Sequence, residues 1–178
     1  LVAYTTVFLG LLQIFVEGGF SKAIVQREEL DPEHLDTAFW TNMGMATALL
    51  LGVQASAEPV ARLLGDLRVE SLLRWLSLIF VLNALSDMQM AVLRRRLDMK
   101  SLAQRTLIAQ LIGGVVGIAM ALNDYGVWAL IGQTLSAALS TTIILWSMSD
   151  WRPGFRFSTR HFGDIYGFGL SVVGTNLL

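Results

Sequence analysis

Long runs without charged side chains are the feature that most limits how this sequence can fold. Five runs contain at most one charged residue each, and they cover residues 1–21, 37–57, 75–93, 106–123 and 125–149. Each approaches the roughly 20 apolar residues that a helix needs to cross a bilayer, where the backbone must satisfy its own hydrogen bonds. The sequence therefore predicts an all-α integral membrane protein. We expect a polytopic helical bundle of five full transmembrane helices, with the start of a sixth in residues 164–178.

Other fold classes fit these runs poorly. Core helices of soluble proteins keep a polar face, which residues 46–53 and 112–122 lack, and the alternation typical of transmembrane β-strands is absent. Charged residues make up 15% of the chain, against about 25% in soluble domains. The 13 basic residues are balanced by 14 acidic ones, and there is no Cys. These counts argue against a soluble enzyme, a disordered tail, a nucleic-acid binder and a disulfide framework.

The basic residues are divided unequally between the segments that connect the runs. If successive runs cross the membrane in alternate directions, ten basic residues fall on one side and three, Arg62, Arg68 and Arg74, fall on the other. The side richer in Lys and Arg normally faces the cytoplasm, so the first run is predicted to pass from outside to inside. Aromatic residues near the run ends match the belt expected at membrane interfaces: Trp40, Trp75, Tyr125, Trp128, Trp146 and Trp151.

Some connecting segments carry turn and helix-start signals. Asp31-Pro32-Glu33 predicts a cap and first turn leading into the second run, and residues 123–126 predict a tight outer turn. Pro59 stands where the first residue of a short outer helix is expected, and Gly65 stands where that helix would stop. Residues 58–74 are therefore either a short helix in the outer membrane interface or a plain surface connector.

Two carboxylates lie inside the predicted spans, where burying a charge costs about 2.5–3.5 kcal/mol on insertion scales. Glu17 precedes a pair of glycines in the first run, and Asp87 follows Asn83 by one helical turn in the third. One interpretation makes Glu17, Asn83 and Asp87 cavity-lining groups that take part in proton or cation coupling. The other pairs Glu17 with Lys22 and gives Asp87 an interhelical hydrogen bond.

Smaller signals within the runs concern helix packing. Neutral polar residues recur at mid-span, at Asn42, Gln54, Gln110 and Gln133. They indicate either hydrogen bonds between helices or a shared polar interior. The pattern Gly113-x-x-x-Gly117 predicts close packing of its helix against a neighbour.

The densest cluster of basic residues lies in residues 94–105. One interpretation is charge that sets the topology and contacts anionic lipid headgroups. The other is a site for the phosphate or pyrophosphate of a lipid-linked substrate, because the planar guanidinium binds phosphate oxygens bidentately. The candidate phosphate or headgroup residues are Lys22, Arg27, Arg94, Arg95, Arg96 and Lys100. No catalytic or metal-binding motif is present, so we expect neither an enzyme nor a metal site.

Several segments resemble those of bacterial polysaccharide exporters. Residues 19–27 (GFSKAIVQR) resemble the "GFG-A-IQR" segment that closes helix two of those proteins, and residues 35–42 (LDTAFWTN) resemble their "STAFW-N" entry to helix three. Further matches are LRRRLDM at 93–99, GVWAL at 126–130, WRP at 151–153 and FGL at 168–170. Over essentially its whole length the chain is similar to the Wzx-type oligosaccharide flippases, within the multidrug/oligosaccharidyl-lipid/polysaccharide superfamily.

This resemblance implies a segment of a longer protein, with about twelve to fourteen helices in two similar lobes. Residues 1–163 would form most of the N-terminal transmembrane lobe, and residues 164–178 the start of the next lobe's first helix. Such proteins move undecaprenyl-pyrophosphate-linked oligosaccharides across the bacterial inner membrane by alternating access. The implied partners are the lipid-linked oligosaccharide, membrane lipids and polysaccharide synthesis proteins, with no nucleic acid. No cofactor is implied, and energy coupling to protons or sodium ions varies between members.

Two other functions stay open at this point. The first is a drug or small-molecule exporter of the same superfamily, whose cavity should be richer in aromatic residues. The second is a membrane scaffold of a polysaccharide synthesis complex, which transports nothing and needs no water-filled cavity.

The predicted orientation can be tested by labelling the full-length protein. A cysteine beside Arg95 should react with a membrane-impermeant maleimide only after the membrane is opened, because that segment is predicted to face the cytoplasm. A cysteine beside Arg68 should react in intact cells and serves as the control. This chain has no Cys of its own, so it adds no background labelling. Labelling beside Arg95 in intact cells would overturn the topology.

Overall fold

The computed structural model describes residues 32–95 and 99–154, and this part of the chain is built from five α-helices. They are α1 (Pro32–Leu63), α2 (Arg68–Leu76), α3 (Leu78–Arg95), α4 (Met99–Leu122) and α5 (Trp128–Met148). No strand occurs in these residues, so the prediction of an all-α protein is confirmed for them. Helix α1 begins at Pro32, in agreement with the preference of proline for the first helical turn. The runs predicted at 1–21 and 164–178 lie outside the described residues.

Helix α1 is longer than the sequence predicts and includes the proline expected to begin another helix. It continues through Pro59 to Leu63. Gly65 then adopts a left-handed φ of 71°, and the N–H of Asp66 donates to the carbonyl of Ala61 across 3.2 Å. Gly65 is thus the predicted stop, but the placement of Pro59 at the start of a new helix is wrong. Pro59 is tolerated inside α1 because it lies on an exposed face near the helix end, where the missing N–H is least damaging.

Helices α2 and α3 form a nearly continuous rod that is interrupted at Ser77. The N–H of Ser77 still donates to the carbonyl of Leu73 across 2.9 Å, and its buried hydroxyl donates to the carbonyl of Arg74 across 2.7 Å. From α1, Nε2 of Gln54 donates to the same Arg74 carbonyl across 3.2 Å. Gln54 therefore acts as a hydrogen-bond donor between helices, which is one of the two interpretations given to the mid-span polar residues.

Three helical segments in the described part of the chain are long and apolar enough to cross a membrane: Arg68–Arg94, Lys100–Leu122 and Trp128–Met148. Helix α1 has 32 residues but does not belong to this set, because polar residues such as Asn42 and Gln54 interrupt its apolar surface. The predicted count of five full transmembrane helices stays a prediction.

The core of the bundle lies between α1 and the rod formed by α2 and α3. Most of the residues that α1 buries there are alanines at helical spacing, which lets the two backbones approach closely. One cluster consists of Ala46, Val53, Ala57, Ala61, Val69, Leu73, Phe80 and Ala84. A second consists of Ala38, Phe39, Met88 and Ala91. Helices α1 and α3 therefore run antiparallel and pack against each other over most of their length.

Contacts between helix ends show which segments share an end of the bundle. The indole of Trp40, near the start of α1, donates to the carbonyl of Gly154 beyond α5 across 2.8 Å. At the opposite end, the ring centroids of Trp75 and Trp128 are 6.5 Å apart. We call the end that contains Gly154 the inner end and the end that contains Gly65 the outer end. The end of α3 and the start of α4, with Arg94 and Lys100, lie at the inner end, as the alternation of spans predicts. Which end faces the cytoplasm stays a prediction.

Glycines bring α4 and α5 close together. A Cβ on Gly113 would lie 2.9 Å from the Cβ of Ala137, and one on Gly117 would lie 3.0 Å from the Cβ of Gln133. The close packing predicted from Gly113-x-x-x-Gly117 is therefore confirmed. The predicted outer turn joins the two helices, and Asp124 within it adopts a φ of 59°, which Asp tolerates better than most residues.

Replacing Gly113 by alanine is expected to destabilise the full-length protein, with Gly114→Ala as the matched control. The new methyl at Gly113 must displace Ala137 or the Gln133 carbonyl, and overpacking of this kind costs about 1–3 kcal/mol. Nothing lies within 4 Å of a Cβ on Gly114, so alanine should preserve or raise stability there. Thermal unfolding midpoints in detergent provide the measurement, and equal midpoints for the two variants would contradict the close contact.

Candidate functional site

The carboxylate of Asp87, in the second half of α3, is hydrogen-bonded to α1. Nδ2 of Asn42 donates to Oδ2 of Asp87 across 3.1 Å. Asn42 is only 2% exposed, while Asp87 is half-buried. The interhelical hydrogen bond that the sequence offered as one interpretation of Asp87 is therefore present, and it brings an acidic group and an amide together between two helices.

The amide of Asn42 keeps an unused acceptor near this carboxylate. Its Oδ1 is buried without a hydrogen-bond partner among the described residues. Asn83, one turn before Asp87 on α3, is half-buried, and its side chain makes no hydrogen bond within the described part of the chain. A carboxylate can take up a proton, and both carboxylate and amide oxygens can contact a small hard cation. Asn42, Asn83 and Asp87 therefore form a polar group suited to that chemistry.

A different face of α3 is hydrogen-bonded to α5. The hydroxyls of Ser86 and Thr142 are 2.8 Å apart, and the Thr142 hydroxyl also lies 3.1 Å from the carbonyl of Leu82, to which it can donate. One turn further, Nε1 of Trp146 donates to the carbonyl of Leu85 across 3.0 Å. These contacts join α3 to α5, and the Asn42 bond joins it to α1.

The chain that follows α5 is bound to the start of α1 by contacts that we call the inner clasp, made by Asp36, Phe39, Trp40, Trp151 and Gly154. The N–H of Gly154 donates to Oδ1 of the buried Asp36 across 3.0 Å, while its carbonyl accepts from the Trp40 indole. The Trp151 ring meets Phe39 edge-on, with centroids 5.9 Å apart. A Cβ on Gly154 would lie 2.5 Å from Oδ2 of Asp36, so any other residue there would have to displace that carboxylate.

Helices α3 and α5 are tied into the same region. Gln89 of α3 is fully buried, and its Nε2 donates to the carbonyl of Trp151 across 3.3 Å. Arg152 caps α5, because Nη1 donates to the carbonyl of Ser149 across 2.6 Å and Nη2 donates to that of Trp146 across 2.9 Å. Carbonyls in the last helical turn lack intrahelical donors, and the Arg152 guanidinium supplies these donors.

Only part of the predicted phosphate or headgroup site falls in the described residues. Arg94 and Lys100 are exposed at the inner end. The side chain of Arg95 is outside the described part, and so are Glu17, Lys22, Arg27 and Arg96. Within the described residues, no group of three or more His, Cys, Asp and Glu side chains is arranged to hold a metal ion.

Gly154→Ala should destabilise the full-length protein, because its methyl must displace the buried Asp36 carboxylate. Overpacking of this kind costs about 1–3 kcal/mol. Asp36→Asn is the matched control, since an amide oxygen can still accept the Gly154 N–H. We expect the thermal unfolding midpoint to fall for Gly154→Ala and to change much less for Asp36→Asn. A wild-type midpoint for Gly154→Ala would mean that the inner clasp does not hold.

Comparison with known proteins finds relatives that take part in polysaccharide biosynthesis. A succinoglycan biosynthesis transport protein, ExoT of Rhizobium meliloti (strain 1021), is 28% identical over 176 residues, which cover 99% of this chain and 36% of the relative. The teichuronic acid biosynthesis protein TuaB of Bacillus subtilis (strain 168) is 24% identical, over 93% of this chain and 35% of the relative. The lipopolysaccharide biosynthesis protein WzxC of Escherichia coli (strain K12) is 21% identical, over 100% of this chain and 37% of the relative.

The chain thus spans about a third of the length of these relatives. No solved structure matches it. Three apolar helices in the described residues and a relative named as a transport protein together indicate a membrane protein. The model of the polysaccharide biosynthesis protein family matches residues 1–178, which confirms the resemblance found in the sequence. The chain belongs to the polysaccharide biosynthesis protein family.

Proposed function

We propose that the full-length protein is a flippase that moves lipid-linked oligosaccharides across the bacterial inner membrane for surface or secreted polysaccharide. The observation that carries this proposal is the alignment of almost the entire chain with a succinoglycan transport protein. The expected substrate is an undecaprenyl-pyrophosphate-linked sugar unit. Transport, rather than catalysis, is the role that fits such a relative, and no cofactor is required.

The proposed mechanism is alternating access, with two lobes rocking around a polar cavity. In this chain α3 is hydrogen-bonded to α1 through Asp87 and to α5 through Ser86 and Trp146. Helices joined in this way would move as one body, since breaking the bonds donated by Asn42 and Trp146 in an apolar environment leaves an N–H group without its acceptor. The described helices would therefore form a rigid part of one lobe.

The basic residues at the inner end would recruit the substrate. Arginine forms bidentate hydrogen bonds with phosphate oxygens, and several basic residues attract a pyrophosphate from a distance. The residues proposed for this role are Lys22, Arg27, Arg94, Arg95, Arg96 and Lys100. Phospholipid headgroups and polysaccharide synthesis proteins are the other partners proposed for this face.

Energy coupling would depend on the carboxylates within the spans. Asp87 with Asn42 and Asn83 offers oxygen atoms between helices, and Glu17 offers a second carboxylate in the first predicted span. We propose that a proton or a sodium ion binds at one of these groups and changes which hydrogen bonds the helices make. The Asn42–Asp87 contact supports this role, because its amide retains a buried, unused acceptor.

Translocation of a fluorescent lipid-linked oligosaccharide into vesicles that contain the full-length protein tests both parts of this proposal. Asp87→Asn is expected to lower the rate about fivefold or more, in line with typical coupling energies, and to remove its dependence on a pH or sodium gradient. Asp66→Asn is the control. It removes the same charge from the outer turn, and its amide can still accept the Arg68 N–H that Asp66 accepts across 2.8 Å.

The same assay separates the possible failures. Unchanged rates and gradient dependence in Asp87→Asn and Glu17→Gln would exclude both carboxylates from coupling. Absence of translocation by the wild-type protein would exclude the flippase. Drug efflux would then favour an exporter, whereas cysteines at Asn83 and Asp87 that stay inaccessible to water-soluble reagents would favour a scaffold.

A further inference from the structure

Arg105, in the second turn of α4, is a charged side chain that lacks most of its expected partners. Nη2 donates to the hydroxyl of Thr106 across 3.0 Å. Nε and Nη1 are buried and have no hydrogen-bond partner among residues 32–95 and 99–154. A guanidinium carries five N–H donors and stays protonated in proteins. Buried charges are normally paired, so a group that accepts these hydrogen bonds is missing from the described part of the chain.

The position of Arg105 on its helix indicates that it faces protein rather than lipid. Arg105, Ala109 and Gly113 recur at four-residue spacing and therefore share one face of α4. Ala109 is 3% exposed, and Gly113 packs directly against α5. Leu107 and Leu111, on another face, are 65% and 68% exposed. Arg105 thus lies at the inner end of the buried face of α4.

Neighbouring charges favour an anion as the missing partner. Arg94, at the end of α3, is close enough for its positive charge to repel that of Arg105. In residues 94–105 five basic residues accompany a single acidic one, Asp98. At the outer end the situation differs, because Arg62 pairs with Glu58 and Arg74 pairs with Glu70. Positions one turn before and after Arg105 hold Ser101 and Ala109, so α4 offers it no such carboxylate.

We propose that Arg105 and Arg94 together hold a phosphate group carried by a membrane lipid at the inner end of α3 and α4. A phosphate presents several oxygens, so it can accept from both guanidinium groups and relieve their repulsion. Arginine suits this role better than lysine because its N–H groups form a planar fork. The lipid can be the pyrophosphate-linked substrate of the proposed function or an anionic phospholipid, and the inference depends on the proposed function only for that choice.

Binding by the purified full-length protein in an uncharged detergent provides the test. The two probes are undecaprenyl pyrophosphate and phosphatidylglycerol, titrated separately. Arg105→Gln should weaken binding of at least one probe by about tenfold or more, as expected for the loss of hydrogen bonds from a charged group. Arg105→Lys should weaken it less, because the charge remains. Arg62→Gln removes an exposed arginine from the outer end and should leave both affinities unchanged.

The outcomes distinguish the two sources of phosphate. Weaker binding of undecaprenyl pyrophosphate alone assigns the site to the substrate, and weaker binding of phosphatidylglycerol alone assigns it to a headgroup; either supports the phosphate site. Wild-type protein that binds neither probe, or an Arg105→Gln variant that binds both as tightly as wild type, overturns it.

Two further measurements keep this test independent of protein folding and of the proposed function. A lower unfolding midpoint of lipid-free Arg105→Gln, with unchanged lipid binding, would mean that Arg105 pairs with a carboxylate elsewhere in the protein, which also overturns the proposal. Arg105-dependent lipid binding in a protein that translocates nothing would remove the flippase and leave the phosphate site in place.

Discussion

Lipid supplies no hydrogen-bond partners, so each polar group that this chain carries into an apolar helix must find one within the protein. Helix α3 is where this constraint acts most strongly. Asp87 bonds to α1, while Ser86 and the carbonyls of Leu82 and Leu85 bond to α5. The polar groups of α3 therefore decide which helices lie beside it and in which register. Packing of apolar surfaces alone would define the neighbours and the register less well.

Helix α4 stands in contrast to this hydrogen-bonded group. Its principal neighbour in the described part of the chain is α5, against which Gly113 and Gly117 pack closely. Much of its remaining surface is apolar and exposed, with Leu107 at 65% and Val115 at 67%. The charge of Arg105 lies at the inner end of this helix, on its buried face. A helix attached mainly through small residues, with a half-buried arginine at one end, is well placed to respond to what binds there.

The proposed site illustrates how far sequence reasoning reaches. Asp87 is conspicuous because a carboxylate in an apolar run needs an explanation, and Asn42 stands out as a polar residue at mid-span. The sequence does not show that these two residues, which are 45 positions apart, are in contact. Thr142 gives no signal at all, since a threonine hydroxyl in a helix usually bonds only to its own helix. Pro59 misleads, because local preference places it at a helix start while packing of the neighbouring alanines continues α1 beyond it.

The sequence by itself determined the all-helical class, the outer turn at residues 123–126, the glycine contact of α4 and the family. Each of these follows from composition, spacing or motif over a short stretch of chain. Only the tertiary structure decided that α3 lies between α1 and α5, that Gly154 fits against Asp36, and that two guanidinium nitrogens of Arg105 are buried without an acceptor in the described part of the chain. Those facts depend on which helix faces pack together. An apolar helix offers several equivalent faces, and the hydrogen bonds of its few polar groups select one of them.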